Sequence, residues 1–311
     1  MFLYLSPSCP IFSPENERDL HQILLTVHHA WHVIASPSPK ILRELLPAHV
    51  WDLYGDSLMS SFKLSINAHT LLTPSACDDC DSAKLAQYCS LPAIVIVENR
   101  HSDGAFLHMV CDVIRPVLRR HLSGARPQID VRTAGGIGEV PKELELLGRE
   151  YSRLRPTGGS VPQRIVVFVD GDARRPGEID SNAQLVLQCA GKLGIPCHVL
   201  AKRSIENYAT DDVLRAFGNV RKDHRAAVNL ILDLDPIARD HYPHKAGLVK
   251  TEAHANEDLY GSDIPLGLGL GQGFAGDWFA HFRHQVTAAQ LKARDGIDEL
   301  IRLMDMVEEN I

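Results

Sequence analysis

The residues best placed to do chemistry are carboxylates standing directly behind apolar runs. Ile165-Val-Val-Phe-Val169 is followed at once by Asp170-Gly171-Asp172, and Leu91-Pro-Ala-Ile-Val-Ile-Val97 ends on Glu98. Such unbroken runs of β-branched and aromatic residues suit strands buried on both faces of a parallel sheet. Acids just past the carboxyl end of such strands lie where open α/β sheets bind their ligands. Alternate residues of an extended chain share a side, so Asp170 and Asp172 are expected to converge while Gly171 lets the backbone turn. Oxygen donors grouped in this way suit Mg²⁺ or Mn²⁺, hard cations that keep several waters and take one or two protein carboxylates. Asp-Gly is also a common turn dipeptide, so a plain surface turn is the competing reading of the stretch.

The elements that must position these acids follow a repeating order. Between the two runs lies Gln128-Ile-Asp-Val-Arg-Thr-Ala-Gly135-Gly136-Ile137-Gly138, a third short strand opening into a glycine-rich turn. A helical run from Ala105 to Arg120 carries the stripe Phe106, Val110, Val113, Ile114 and Leu118, and a later one carries Leu185, Val186, Leu187, Ala190 and Leu193. The fold class expected is α/β, a parallel sheet flanked by helices, with three acids at strand ends along one edge. Residues 149–163 read as a polar loop whose Arg153, Arg155 and Arg164 suit phosphate contact, with a solvated loop as the alternative.

Taken together, Ile94-Val-Ile-Val-Glu98, Gly135-Gly136 and Val167-Phe-Val-Asp170-Gly-Asp172 resemble a TOPRIM domain, the metal-binding fold of topoisomerases, primases and OLD-type nucleases. Arg203-Ser-Ile-Glu206-Asn207-Tyr208 resembles the R-x-x-E-N-Y segment of the OLD branch, which includes effectors of bacterial anti-phage systems. His244-Lys245-Ala-Gly247 resembles a Lys-x-Gly segment found beyond the domain in that branch. The resemblance covers about residues 91–250. It implies a TOPRIM-like core that binds Mg²⁺ or Mn²⁺ through Glu98, Asp103, Asp170, Asp172 and Glu206, with Glu98, Asp170, Asp172 and Lys245 carrying the cleavage of a phosphodiester. Asn207 and Tyr208 are expected to pack the turn. The pattern places an acid four residues after its first Glu; here Ser102 holds that position and Asp103 follows it, which leaves two candidates for the role. The implied activity is a Mg²⁺- or Mn²⁺-dependent endonuclease, a hydrolase acting on DNA in antiviral defence, with a ribonuclease for tRNA or other structured RNA as the alternative. The chain carries no Walker motif, so an ATPase partner is expected on a separate protein, and a homo-oligomer is left open. From another class comes a non-catalytic interaction module stabilised by a metal.

Composition narrows the setting. A net charge of −7 over 311 residues argues against a chain that coats nucleic acid indiscriminately. Seven scattered cysteines and the lack of a basic stretch before Pro7 point to a cytoplasmic protein with reduced thiols, and no apolar run is long enough to cross a bilayer. Three sections are expected: a helical N-terminal domain over 1–90, the metal-binding core over 91–210, and an extension over 211–311 that completes the site. Within the first section, helices are expected over Pro14–Ile34 and about Lys40–Leu58. His28 and His32 at helical spacing and Cys77-Asp-Asp-Cys80 form weak zinc signals, because neither has a third ligand at a familiar distance. In the last, Pro265-Leu-Gly-Leu-Gly-Leu-Gly-Gln-Gly-Phe-Ala-Gly276 reads as flexible or tightly turned, and Ala288–Ile311 as one amphipathic helix.

Overall fold

The computed structural model describes residues 2–5, 13–25, 32–35, 43, 47–49, 51–52, 71–72, 81–116, 118–123, 128–154, 164–294 and 296–310. Its strands, in chain order, are β1 (Phe2–Leu5), β2 (His32–Ala35), β3 (Leu71–Leu72), β4 (Ala93–Val97), β5 (Ile129–Thr133), β6 (Ile165–Val169) and β7 (Cys197–Val199). The longer helices are α1 (Glu17–Leu25), α2 (Ser82–Ser90), α3 (Ser102–Ile114), α4 (Val140–Leu154), α5 (Ser181–Leu193), α6 (Asp211–Val220), α7 (Arg225–Asp233), α8 (Phe274–Phe282) and α9 (Ile297–Glu309). Shorter helices are named by range.

The runs before Glu98 and Asp170 lie side by side, as β4 and β6, in a four-stranded parallel sheet of order β5-β4-β6-β7. Ile94 pairs with Ile165 and Ile96 with Val167, so the two strands end almost level. Every residue of both is buried, and strand alternation divides them between two cores. Val95, Val97, Val166 and Phe168 face α3, α6, α8 and α9, while Ile94, Ile96 and Val167 face α1, α2, α4 and α5. Phe106 of α3 sits at the centre of the first core, with ring centroids 5.5 Å from Tyr208 and from Phe279 and 6.4 Å from Phe168. Fully burying one such ring stabilises the fold by about 1.5–3 kcal/mol. Helix ends are set locally: Asp180 accepts a 2.8 Å hydrogen bond from the Asn182 amide at the start of α5, and Gly194 closes it in the left-handed conformation.

Several expectations are corrected. The section over 1–90 is not purely helical, because β1 pairs in parallel with β2 and β3 in a separate three-stranded sheet. Runs as short as Phe2-Leu-Tyr-Leu5 and His32-Val-Ile-Ala35 do not separate a 2-residue from a 3.6-residue period. The helix expected over Pro14–Ile34 is therefore α1 alone, with residues 26–31 outside the described part. The long helix from Ala105 stops at Ile114, before Pro116, and a short one covers Arg119–Leu122. Residues 149–154 belong to α4, not to a loop, and 155–163, including Arg155, lie outside the described residues. The expected C-terminal helix is two, Ala288–Ala293 and α9. Leu185, counted in an apolar stripe, is 52% exposed. The His28 side chain, the His32 side chain and Cys77–Cys80 also fall outside the described residues, as does most of the helix expected over Lys40–Leu58. Among the described residues, no helix is long and apolar enough to cross a membrane.

Candidate functional site

Because β4 and β6 end level, the next residue of each, Glu98 and Asp170, meets the other at the carboxyl edge of the sheet. The Asp170 amide donates to Glu98 Oε1 at 3.2 Å, and Asp170 Oδ1 accepts from the Ile205 amide at 3.0 Å. The Glu98 carbonyl is fixed in turn by three donors: the amides of Gly135 and Gly136, both at 3.2 Å, and Thr133 Oγ1 at 2.8 Å. The glycine pair after β5 thus holds the backbone behind the first acid. At Gly171 a side chain is excluded, since a Cβ would lie 2.3 Å from the Leu200 carbonyl oxygen.

Asp172 departs from the expectation of simple alternation. Strand β6 stops at Val169, and Asp172 adopts a left-handed backbone with φ 44° while its amide donates to the Arg203 carbonyl at 2.8 Å. Its carboxyl is influenced by Arg203 and Asp180 more than by Lys245 and Glu206. The tighter cluster is Glu98, Asp103, Asp170 and Glu206, with Asp172 at its margin.

Asp103 joins from the first turn of α3, 6% exposed. Its Oδ2 accepts from the Asn99 amide and its Oδ1 from Ser102 Oγ, both at 2.9 Å. Of the two residues competing for that position, Asp103 is the acid brought to the cluster, and Ser102 is its hydrogen-bond donor. Glu206 arrives from the 3₁₀ turn Ile205–Tyr208 after β7 and is fully buried. Asn207 holds that turn by accepting from the Ser204 amide and hydroxyl and donating to the Arg239 and Tyr242 carbonyls. Lys245 completes the group: its ammonium lies 3.2 Å from Glu206 Oε1 and 4.0 Å from Asp170 Oδ2. Among the described residues, this ammonium is the group that faces the buried Glu206 carboxylate most closely.

The glycine patch is what places Lys245, a role that its composition concealed. Leu270 donates to the His244 carbonyl at 2.6 Å and Gly271 to the Lys245 carbonyl at 3.0 Å. A Cβ on Gly269 would fall 2.3 Å from the Lys245 carbonyl oxygen, so only glycine allows this approach. The density of glycines at 267, 269 and 271 is the signal that could have revealed it, since two of them take left-handed backbone and Gly269 makes the close approach. The patch also supplies Gln272 and Gly276 to the wall of a cavity of about 460 Å³ that Glu98, Asp103, Asp170 and Lys245 share with His101 and Thr133.

Crowding of acids sets the electrostatics. Burial, then Asp103 and Asp172, raises the Glu98 carboxyl from 4.5 to about 7. Burial, then Glu206, Asp103 and Glu98, drives Asp170 well above the usual carboxylate range, and burial also raises Asp103. Burial disfavours the Lys245 charge, yet Glu206 and Asp170 outweigh it and hold the ammonium more firmly protonated than a free lysine. His244, which sits against the Glu206 carbonyl at 3.1 Å, is pushed by burial to about 3 and is neutral at physiological pH.

Among the described residues, no three His, Cys, Asp or Glu side chains are grouped closely enough to form a metal cage. The donor set still suits a hard divalent cation: all its acids offer oxygen, and one or two carboxylates with waters suffice for Mg²⁺. Glu98 and Asp170, with Asp103 beside them, are the residues that would hold it. One expected contact is removed. Arg164 is 1% exposed and donates to the Cys89 and Leu91 carbonyls at 3.3 and 2.5 Å, so it holds α2 to β6 and touches no phosphate. Arg153 ends α4 exposed, and nothing links it to the acid cluster. No family model matches this chain, and neither does any curated protein or solved structure.

Proposed function

We propose that this chain is a metal-dependent, phosphodiester-cleaving nuclease of the TOPRIM, OLD-like kind, acting on DNA as a defence effector. The observation that supports it is the meeting of four acids and one ammonium, from five separate segments, at the carboxyl edge of a parallel sheet. Such a concentration of like charge is costly to fold without a function for it. A Mg²⁺ or Mn²⁺ ion held by Glu98 and Asp170 would supply positive charge for the phosphate and Lewis acidity for activating a water.

The chain's own residues do the rest. Asp170, locked by the Ile205 amide, and Glu98, locked by the Asp170 amide, present oxygens in a fixed relation. Glu98 would offer the oxygen that the Asp170 amide does not engage either to the cation or, where the cation sits on its neighbours, to a proton in transfer. Lys245 neutralises charge growing on the phosphate, and its draw toward Glu206 and Asp170 keeps it in the cavity meanwhile. The expected ATPase partner would act from another chain.

A specific observation favours a second reading. The ion pair of Lys245 with buried Glu206, and the lack among the described residues of any close group of three ligands, also favour the non-catalytic, metal-stabilised interaction module over a catalyst. Incubating pure protein with plasmid DNA and with tRNA, each with Mg²⁺, Mn²⁺ or EDTA, separates these readings. Nicking or linearisation of the plasmid with metal supports the proposal; tRNA cleavage alone moves it to the ribonuclease alternative. Intact substrates in every arm would leave the non-catalytic module.

A further inference from the structure

A second cavity, of about 530 Å³, adjoins the acid site and shares His101 with it. Its floor is apolar and buried: Leu122, Ile129 and Val131 are 8%, 1% and 6% exposed. Its rim carries two cations, Arg100 and Arg283, with His108 beside them. One helix face links the two spaces, because Gly276 lines the acid cavity while Ala280 and Arg283, four and seven residues on, line its neighbour. Gly104 and Ala105 form the opposite wall from α3. The partition is the His101 imidazole, which packs so closely on Gly276 that a Cβ there would lie 2.2 Å from it. It is held at 3.4 Å from Asp277.

The charges at this rim are not used up internally. The Arg100 guanidinium has no ion-pair or hydrogen-bond partner among the described residues. Arg283 lies 3.7 Å from Asp112, but that one buried carboxylate also faces Arg119 at 3.1 Å and His284 at 3.5 Å, which leaves positive charge over. The only acid on the lining, Asp130, turns to Arg132 at 2.9 Å. Burial, then Arg283, depresses His108, so its imidazole is a neutral hydrogen-bonding group.

We infer that this cavity is a subsite for one unpaired nucleotide next to the scissile phosphodiester, its base on the apolar floor and its phosphate against Arg100 and Arg283. The inference rests on the nuclease reading and narrows its substrate to a strand with at least one nucleotide free of pairing. The volume lies in the range of small-ligand sites, about 300–1,000 Å³, and a walled pocket takes a splayed-out nucleotide and not a stretch of duplex.

The test measures binding in EDTA, where cleavage plays no part, with a fluorescein-labelled twelve-nucleotide oligothymidylate and a blunt twelve-base-pair duplex. The wild type is expected to bind the single strand at least about tenfold more tightly than the duplex. Arg100→Ala/Arg283→Ala is expected to weaken the single strand by about 10- to 100-fold and to lower the salt slope by about 1.4, the loss of two contacts at about 0.7 each. Ala280→Trp, at an exposed position, fills the space without changing charge. It is expected to weaken the single strand at least about fivefold with the slope kept. Should removal of Arg283 unfold the protein by stranding Asp112, Arg100→Ala and Ala280→Trp decide the matter. Wild-type binding in these variants, no binding of the oligothymidylate by the wild type, or equal losses on the duplex would overturn the subsite. If the oligothymidylate binds through the cavity but Mn²⁺ never elicits cleavage, the nuclease reading falls and the subsite stands. Cleavage that survives with no dependence on the cavity sinks the subsite alone.

Discussion

Two buried clusters of charge lie within a few residues of one another, and they are built on opposite terms. Around Glu299 of α9 each charged side chain faces a partner of opposite charge or a hydrogen-bond partner. Its carboxylate accepts from His198 Nε2 at 3.1 Å, from the Ala201 amide at 2.7 Å and from the Tyr208 hydroxyl. Beside it Lys202 pairs with Asp240 at 2.5 Å and donates to the Arg294 carbonyl at 2.7 Å, and Arg294 pairs with Asp240 at 2.7 Å. At the sheet edge, four acids share one ammonium. The outcome shows in two glutamates withdrawn from water. Burial acts to raise both, but the donors around Glu299 outweigh it and lower that carboxyl, whereas the acids around Glu98 add to it and lift it to about 7. Burial alone therefore does not decide the charge state; the partners reinforce it at Glu98 and overcome it at Glu299. The satisfied cluster ties α9 to β7 and the turn after it, whereas the acids at the sheet edge remain crowded against one another.

The comparison breaks most sharply at Asp170. Asp170→Ala is expected to abolish metal-dependent cleavage while thermal stability of the metal-free protein holds or rises, because a repelling charge leaves; Glu98→Gln should do the same. Plasmid assays and melting curves in EDTA check this, and cleavage at the wild-type rate would remove both residues from the mechanism. Glu299→Ala is expected to do the reverse, costing about 3 kcal/mol by stranding the Tyr208 hydroxyl, the Ala201 amide and His198. A denaturant midpoint that does not move would show that the network contributes nothing. Lys245→Ala is expected to slow cleavage by about 10²–10³-fold, the loss typical of one transition-state donor. Lys250→Ala, at the exposed start of the helix Lys250–Ala255, serves as the control. Equal, mild effects at both would reduce Lys245 to a surface charge. Asp103→Asn keeps its donors in part and should cost less, about 10- to 100-fold.

What could be read from the sequence follows from which physics is local. The unbroken runs before Glu98 and Asp170 are themselves the sign of strands buried on both faces, and the acids behind them fall at the sheet edge by chain geometry alone. Alternation failed at Asp172 because the strand ends three residues earlier, so no period governs its direction. Arg164 looked like a phosphate ligand because an arginine beside a polar stretch does not reveal that carbonyls at Cys89 and Leu91 will enclose it. The glycine patch was legible as a turn and not as the clamp on Lys245, since its partner lies in another segment. No pattern in α9 announces that Glu299 will cap the end of β7. Long-range partnership decided each of these, and a linear reading carries little of it.

The smallest expected effect is the most direct measure of the difference between the clusters. Glu98 has its folded value raised from 4.5 to about 7, so the folded state holds that proton more tightly than the unfolded chain. The stability it contributes is complete below about pH 4.5 and is lost as pH rises through about 7. Glu299 has its folded value lowered, so its contribution is present above the unfolded value and is lost only as pH falls below it. Histidines depressed by burial, His108, His241 and His244, add a slope of the opposite sign to that of Glu98, so each variant is compared with the wild type at the same pH. In EDTA, the melting temperature of Glu98→Gln minus that of the wild type should be near zero at pH 4.5 and grow by a few degrees, about 2–6 °C, by pH 8. The deficit of Glu299→Gln should instead stay constant across that range and shrink only in more acid solution. Adding Mn²⁺ at pH 8 should raise the wild type more than Glu98→Gln, because the cation relieves the repulsion that the substitution has already removed. A Glu98→Gln difference that stays flat with pH would mean that the sheet-edge acids are as well compensated as the Glu299 network, and the contrast between the two clusters would be lost.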